Sequence, residues 1–200
     1  MSEPVVVCLG LSRTGTTSFG DACEYLGFTR LGWSERSEEL LRAWHEGRFD
    51  DLYAVAGGYQ VIEDLPWPLL YRELADRFPQ TRFVLTRRVS VEVWLASQIA
   101  HTSKWDELWA LEPIYGDTRP QRAPEAYCRT YERHLREVRR FFASSERLSA
   151  RLLEVCWETG SGWTELCPFL GVPVPKGVPF PHANASVPTP DPDVGLRWQR

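Results

Sequence analysis

Apolar and polar positions alternate along this chain in blocks that switch between the periods of strands and of helices. Val5 to Leu9 is an unbroken apolar run ending at Gly10, the pattern of a buried strand followed by a glycine-containing turn. Thr17 to Leu26 then carries Phe19, Ala22, Cys23 and Leu26 on one helical face and stops at Gly27. Ser37 to Glu46 is a second amphipathic helix, with Leu40, Leu41 and Trp44 apolar and Gly47 at its end, reached through a polar connection. Gln60 to Leu65 predicts a short strand, and Pro66 opens a helix that runs through Leu69, Leu70, Leu74 and Phe78 to the break at Pro79. Arg82 to Thr86 is the next strand and Val91 to Ala100 the next helix. Between Trp105 and Pro124 no period holds, which predicts a loop or lid. A long amphipathic helix from Glu125 to Phe142, a strand from Arg151 to Cys156 and a helix from Gly162 to Leu170 complete the pattern, before a Pro-rich stretch from Val172 onward. Strands separated by helices predict βαβ units and an α/β fold, a three-layer α/β/α arrangement around a mostly parallel sheet. Ligands are then expected at the C-terminal ends of the strands.

Composition narrows this picture without choosing a chemistry. Two hundred residues suit one domain, residues 1–200, with residues 172–200 as an extended tail packed on it. The formal charge of −4 excludes a broad nucleic-acid-binding surface and leaves room for a local basic pocket around a small anion. Lys104 and Lys176 are the only lysines, so arginine supplies nearly every cationic side chain, and its planar fork suits phosphate or sulfate. Cys8, Cys23, Cys128, Cys156 and Cys167 form no C-x-x-C pair and read as core residues of a reducing compartment. With neither a basic segment followed by an apolar signal core nor a run of membrane-spanning length, the expectation is a cytoplasmic protein with no membrane partner.

Chemistry concentrates first in the turn after the leading strand. Gly10 and Gly15 stand at the spacing of a Walker A loop, where absent β-carbons let backbone N–H groups curl around an oxyanion at a helix N-terminus. The usual lysine position holds Thr16, the metal-binding hydroxyl position holds Thr17, and the cation is instead Arg13. That exchange argues against an ordinary ATPase. The run R-T-G-T-T-S after an apolar strand resembles the loop of sulfotransferases that use 3'-phosphoadenosine 5'-phosphosulfate (PAPS) and release 3',5'-ADP. The resemblance implies a P-loop NTPase-like sulfotransferase fold and a loop that binds the 5'-phosphosulfate. In it Arg13 lies beside the bridging oxygen, and Thr14, Gly15, Thr16, Thr17 and Ser18 donate backbone and hydroxyl hydrogen bonds.

FVLTRRVSVEVWLAS, Phe83 to Ser97, delivers two arginines to the C-terminal edge of a strand and a serine to the helix that follows. This is similar to the sulfotransferase element that grips the 3'-phosphate of PAPS. Arg88 and Ser97 fit best, with Arg87 and Ser90 as competitors, because the spacing is one residue longer than the common pattern and Val89-Ser90 replaces its Asp-Pro or Asn-Pro. The arginines have a plainer reading as partners of surface carboxylates such as Glu92.

A sulfuryl transfer needs a base for the acceptor and no metal in this family. QVIEDLPW sets Glu63 and Asp64 at a strand end that reaches the same crevice. Asp64, Pro66, Tyr71, Glu73 and Leu74 match a D-x-P-x-x-x-x-Y-x-E-L pattern of sulfotransferase-like proteins, which favours Asp64 as base; it also has the position of an N-cap for the helix at Pro66. Histidine is the other usual base. His101 and His45 are candidates, while His134 in the long helix reads as packing. PFPHANAS, Pro179 to Ser186, resembles the C-terminal signature of these proteins, with His182 and Asn184 as tail anchors. Among nine tryptophans, Trp94, Trp105 and Trp109 cluster near the lid; core packing is the general role, and Trp105 and Trp109 are the stacking candidates for an aromatic or sugar acceptor. The expected partner is a small-molecule hydroxyl or amine, and exposed tryptophans also leave room for a homodimer. Two other readings stand beside this one. In a nucleotide kinase or NTPase, Thr17 and the VIED strand end would hold magnesium; in a non-catalytic member of the fold, 3',5'-ADP or a protein partner would bind without turnover.

Overall fold

The computed structural model describes residues 3–104 and 106–183. Five strands form one sheet: β1 (Val6–Cys8), β2 (Arg30–Leu31), β3 (Val61–Ile62), β4 (Arg82–Thr86) and β5 (Leu152–Val155), in the order β2-β3-β1-β4-β5. Every pairing is parallel, with Val6 opposite both Val61 and Arg82, and Thr86 opposite Val155. The α/β expectation therefore holds.

The helices are α1 (Thr16–Tyr25), α2 (Ser37–His45), α3 (Phe49–Ala56), α4 (Tyr71–Arg77), α5 (Val91–Thr102), α6 (Leu111–Tyr115), α7 (Pro124–Phe142), α8 (Glu146–Ser149) and α9 (Trp163–Leu170). Short 3₁₀ turns occupy Trp67–Leu70 and Trp157–Thr159. The segment expected to run as one helix from Pro66 is thus a 3₁₀ turn followed by α4. Neither β2 nor α3 was expected, and the stretch read as an irregular lid contains α6. Trp105, Asn184 and the tail from 184 onward lie outside the described residues.

Side chains of β1 alternate between two cores. Val7 and Leu9 join Leu31, Ile62, Phe83, Leu85, Trp94 and Tyr131 in the larger one. Val6 and Cys8 join Phe19, Val61, Val84, Trp163 and Leu166 in the other. Both faces of the sheet are covered, which explains why its strands read as continuous apolar runs rather than alternating ones. None of the five cysteines is bonded to another, and four of them are buried.

Strand order decides where a ligand fits. The chain leaves β1 toward β2 on one side of the sheet and leaves β4 toward β5 on the other, so the connections diverge between the adjacent strands β1 and β4. A crevice opens at such a switch point. The loop after β1 carries Arg13 and the loop after β4 carries Arg88, so topology alone brings the two predicted anion elements to one place.

Candidate active site

The loop after β1 is packed too closely to carry side chains at its glycines. A β-carbon on Gly10 would lie 1.8 Å from Thr86 Oγ1. Gly15 has φ 91°, and a β-carbon there would lie 2.4 Å from the Trp157 ring, whose Nε1 donates to the Gly15 carbonyl at 3.1 Å. Gly15 stands at the N-cap of α1 and supplies no side-chain cap. The first amides of α1 are therefore left to whatever occupies the cradle, at the positive end of the helix dipole.

The hydroxyls of the loop do not all face that cradle. Thr14 is buried; its hydroxyl donates to the Leu11 carbonyl at 2.7 Å and pairs with Thr86 Oγ1 at 2.6 Å. The Ser18 hydroxyl accepts from the Ala183 amide of the tail at 3.0 Å. In this structure the Thr14 hydroxyl is engaged within the loop, while the Ser18 hydroxyl, accepting from the tail, keeps its own proton for a further acceptor. Thr16 is buried, and its hydroxyl lowers the proton affinity of Glu63. Thr17, in the first turn of α1, is half-buried.

Arg13 adopts φ 72°, and its Nε donates to Ser97 Oγ on α5 at 3.2 Å. Arg88 Nη1 donates to the Arg13 carbonyl at 3.1 Å. Arg88 Nε and Nη2 donate to Glu158 Oε1 at 2.9 and 2.6 Å, and Glu158 also accepts from the Val89 amide at 2.7 Å. Arg87 turns away: its Nε donates to Glu154 at 2.7 Å, where Arg139 also binds. Of the two arginines it is Arg88 that meets the loop. Ser90 serves as the N-cap of α5, accepting from Val93 N at 3.3 Å, while Ser97 lies at the loop. Burial, and then the neighbouring Arg88 charge, pull the Arg13 proton affinity down, with Asp64 opposing. An anion bound beside Arg13 would offset that repulsion.

At the end of β3 the adjacent carboxylates separate in role. Glu63 is 2% exposed and faces Arg30, whose Nη2 and Nε donate to it at 2.5 and 3.2 Å. Burial, and then the charge of Asp64, push Glu63 up to about 7 against the pull of Arg30. Asp64 sits at φ 69°; its Oδ1 accepts from Ser12 Oγ at 2.6 Å and from the Leu65 amide at 2.8 Å. No side-chain cap closes the 3₁₀ turn after Pro66, so the N-cap reading of Asp64 gives way to a carboxylate bonded to the anion loop.

Among the histidines, His101 has its proton affinity lowered by burial and then by Arg13, with Asp64 opposing, which places it in the field of both site residues. His134 is buried, with Nε2 on the Leu9 carbonyl at 2.7 Å and its ring edge-on to Tyr71. The His45 ring meets Trp109 at 5.6 Å, and His182 is exposed in the tail. Trp94 is core, stacked on Tyr131 at 4.4 Å. Among the described residues no group of three acidic, His or Cys side chains is placed to hold a metal.

Four contributors, Ser12, Gln98, Trp157 and Glu158, went unread in the sequence, and Trp94 was read only as a lid or core residue. Ser12 holds Asp64, Trp94 Nε1 and Gln98 Nε2 hold the Ser12 carbonyl at 3.0 and 2.8 Å, Trp157 seals Gly15, and Glu158 steers Arg88. A usable signal existed for the α5 pair: Trp94 and Gln98 are four apart on the face that also bears Ser97 and His101.

Known proteins resemble this chain over most of its length. Over 219 residues the chain is 26% identical to Ava biosynthesis cluster protein M of Aspergillus versicolor, covering 90% of this chain and 81% of that protein. Its fold is similar to that of a sulfotransferase from Alicyclobacillus acidocaldarius, with a TM-score of 0.53, 13% identity, and coverage of 94% of this chain and 88% of the other. The model of the family described as "Sulfotransferase domain" matches residues 5–114 and 100–187, and the chain accordingly belongs to that family.

Proposed function

We propose that the protein transfers a sulfuryl group from PAPS to a hydroxyl or amine of a small molecule, in the cytoplasm, with Asp64 as base and no metal. The observation that carries this reading is the convergence of Arg13, Arg88, Ser97 and the uncapped start of α1 on the crevice that also receives Asp64. Two guanidinium groups, backbone amides and the Thr17 hydroxyl make a donor set for a ligand with more than one phosphate-like group. When bound, PAPS supplies an activated sulfuryl group on a phosphate leaving group.

The chain's own residues then divide the work. Backbone amides of residues 15–18 and Arg13 would hold the 5' end, where their donors favour negative charge on the leaving group. Arg88 and Ser97 hold the 3'-phosphate, with Glu158 fixing the direction of Arg88. Asp64 accepts the acceptor's proton. The kinase reading loses ground on a specific contact: one of the two acids at the VIED strand end, Glu63, is bonded to Arg30.

Incubation with PAPS and a panel of phenols, alcohols and amines tests the reading, with 3',5'-ADP release as the signal. Acceptor-dependent release that persists in chelator supports it. Tight 3',5'-ADP binding with no release across the panel would instead favour a non-catalytic member of the fold.

A further inference from the structure

Helix α5 touches two consecutive loop residues through three of its own. Ser97 meets the Arg13 side chain, while Trp94 and Gln98 both donate to the Ser12 carbonyl, at 3.0 and 2.8 Å. A carbonyl oxygen offers two lone pairs, so this one is saturated and the peptide plane between Ser12 and Arg13 is fixed from two directions. The Ser12 hydroxyl in turn donates to Asp64 Oδ1 at 2.6 Å, beside the Leu65 amide at 2.8 Å. With φ at 69°, the Asp64 backbone already sets the direction of its Cα–Cβ bond. What remains free is rotation of the carboxylate, and the Ser12 hydroxyl removes it.

We infer that Gln98 is a positioning residue for proton transfer: by holding the Ser12 carbonyl it keeps the Ser12 hydroxyl on Oδ1 of Asp64 and leaves Oδ2 as the oxygen that receives the acceptor proton. The inference rests on Asp64 being the base. Among the described residues Oδ1 takes both hydrogen bonds made to this carboxylate. Gln98 is 4% exposed, and its amide has been withdrawn from water to serve a backbone carbonyl. Its removal would leave that carbonyl with the Trp94 donor alone, free to tilt the peptide that carries Ser12.

Gln98→Met, close in shape but without the donor, and Ser12→Ala provide the test, with the double variant to close the cycle. The first readout needs no acceptor: the side-chain carboxyl ¹³C resonance of Asp64 and the amide resonance of Leu65, recorded in the unliganded protein at fixed pH. Each single variant is expected to move both resonances, and Gln98→Met is expected to add nothing in the Ser12→Ala background. Unmoved resonances in Gln98→Met, or shifts that simply add in the double variant, would overturn the inference. If Gln98→Met fails to fold, Trp94→Phe removes the other donor while keeping the ring, under the same criteria. In turnover, Gln98→Met should lower kcat roughly tenfold with the affinity for 3',5'-ADP unchanged. Full sulfuryl transfer by Asp64→Asn would overturn the base assignment and this inference with it. Loss of transfer in Asp64→Asn, with Asp64 resonances indifferent to Gln98, would overturn the positioning role alone.

Discussion

The Ser12 hydroxyl donates to Asp64 Oδ1 at 2.6 Å, tying the loop after β1 to the end of β3. The residue after Ser12 and the acceptor of its bond, Arg13 and Asp64, are the two described non-glycine residues with positive φ, at 72° and 69°. Backbone strain of this kind persists where surrounding contacts over-determine it, and it clusters at functional sites.

Asp64→Asn should separate fold from chemistry. Asparagine tolerates the left-handed region and can still accept from Ser12 and Leu65, so the loop keeps its shape. It cannot take a proton, and turnover should fall by about 10² to 10⁴ with 3',5'-ADP binding intact, measured by steady-state kinetics and calorimetry.

The arginines should divide by role. Arg13→Ala is expected to reduce kcat by about 10² or more, as for loss of one preorganised oxyanion donor, whereas Arg88→Ala should mainly weaken 3',5'-ADP binding. Arg87→Ala should leave that affinity near the wild-type value, because Arg87 points to Glu154 and it is Arg88 that contacts the loop, at the Arg13 carbonyl. Equal losses of affinity in the Arg87 and Arg88 variants would contradict the assignment.

Gly15→Ala should destabilise the loop. Its φ of 91° is strained for any side chain, and the added carbon would lie 2.4 Å from the Trp157 ring. Thermal unfolding should reveal a loss of about 1–3 kcal/mol, with 3',5'-ADP binding lost alongside it.

Stability should depend on the protonation of His134. Burial holds its proton affinity below the ordinary value of 6.5, so the unfolded chain binds the proton first as pH falls. Stability is then fully present above pH 6.5 and declines as pH drops below it. Glu63, pushed up to about 7, contributes a slope of opposite sign over the same range. The check is therefore the difference in urea midpoints between wild type and His134→Gln from pH 5 to 8, with the variant losing less stability toward pH 5.

The legible parts of the fold were those with enough apolar residues to set a period. Val5 to Leu9 and Arg82 to Thr86 announce buried strands, and their order explains why Arg13 and Arg88 converge. Strand β2 spans only Arg30–Leu31 and α6 only five residues around Pro113, too short to carry a period. Helix α3 buries just Leu52 and Ala56 and opens with two aspartates, so its apolar face is faint in sequence. Within the site, Arg88 and Arg87 could not be told apart, because alternation ends where the strand ends and Glu158 and Glu154 decide their directions. Ser12 and Gln98 escaped notice for a different reason: they meet through a backbone carbonyl, which has no residue identity. The inward turn of the Thr14 hydroxyl depends on Thr86, a partner distant in sequence.

Calorimetric titration with 3',5'-ADP, and separately with ADP, each with and without magnesium, tests the two-anion donor site most directly. Binding of 3',5'-ADP that is tight, indifferent to magnesium and not matched by ADP is the predicted result. A magnesium-dependent preference for ADP would contradict it.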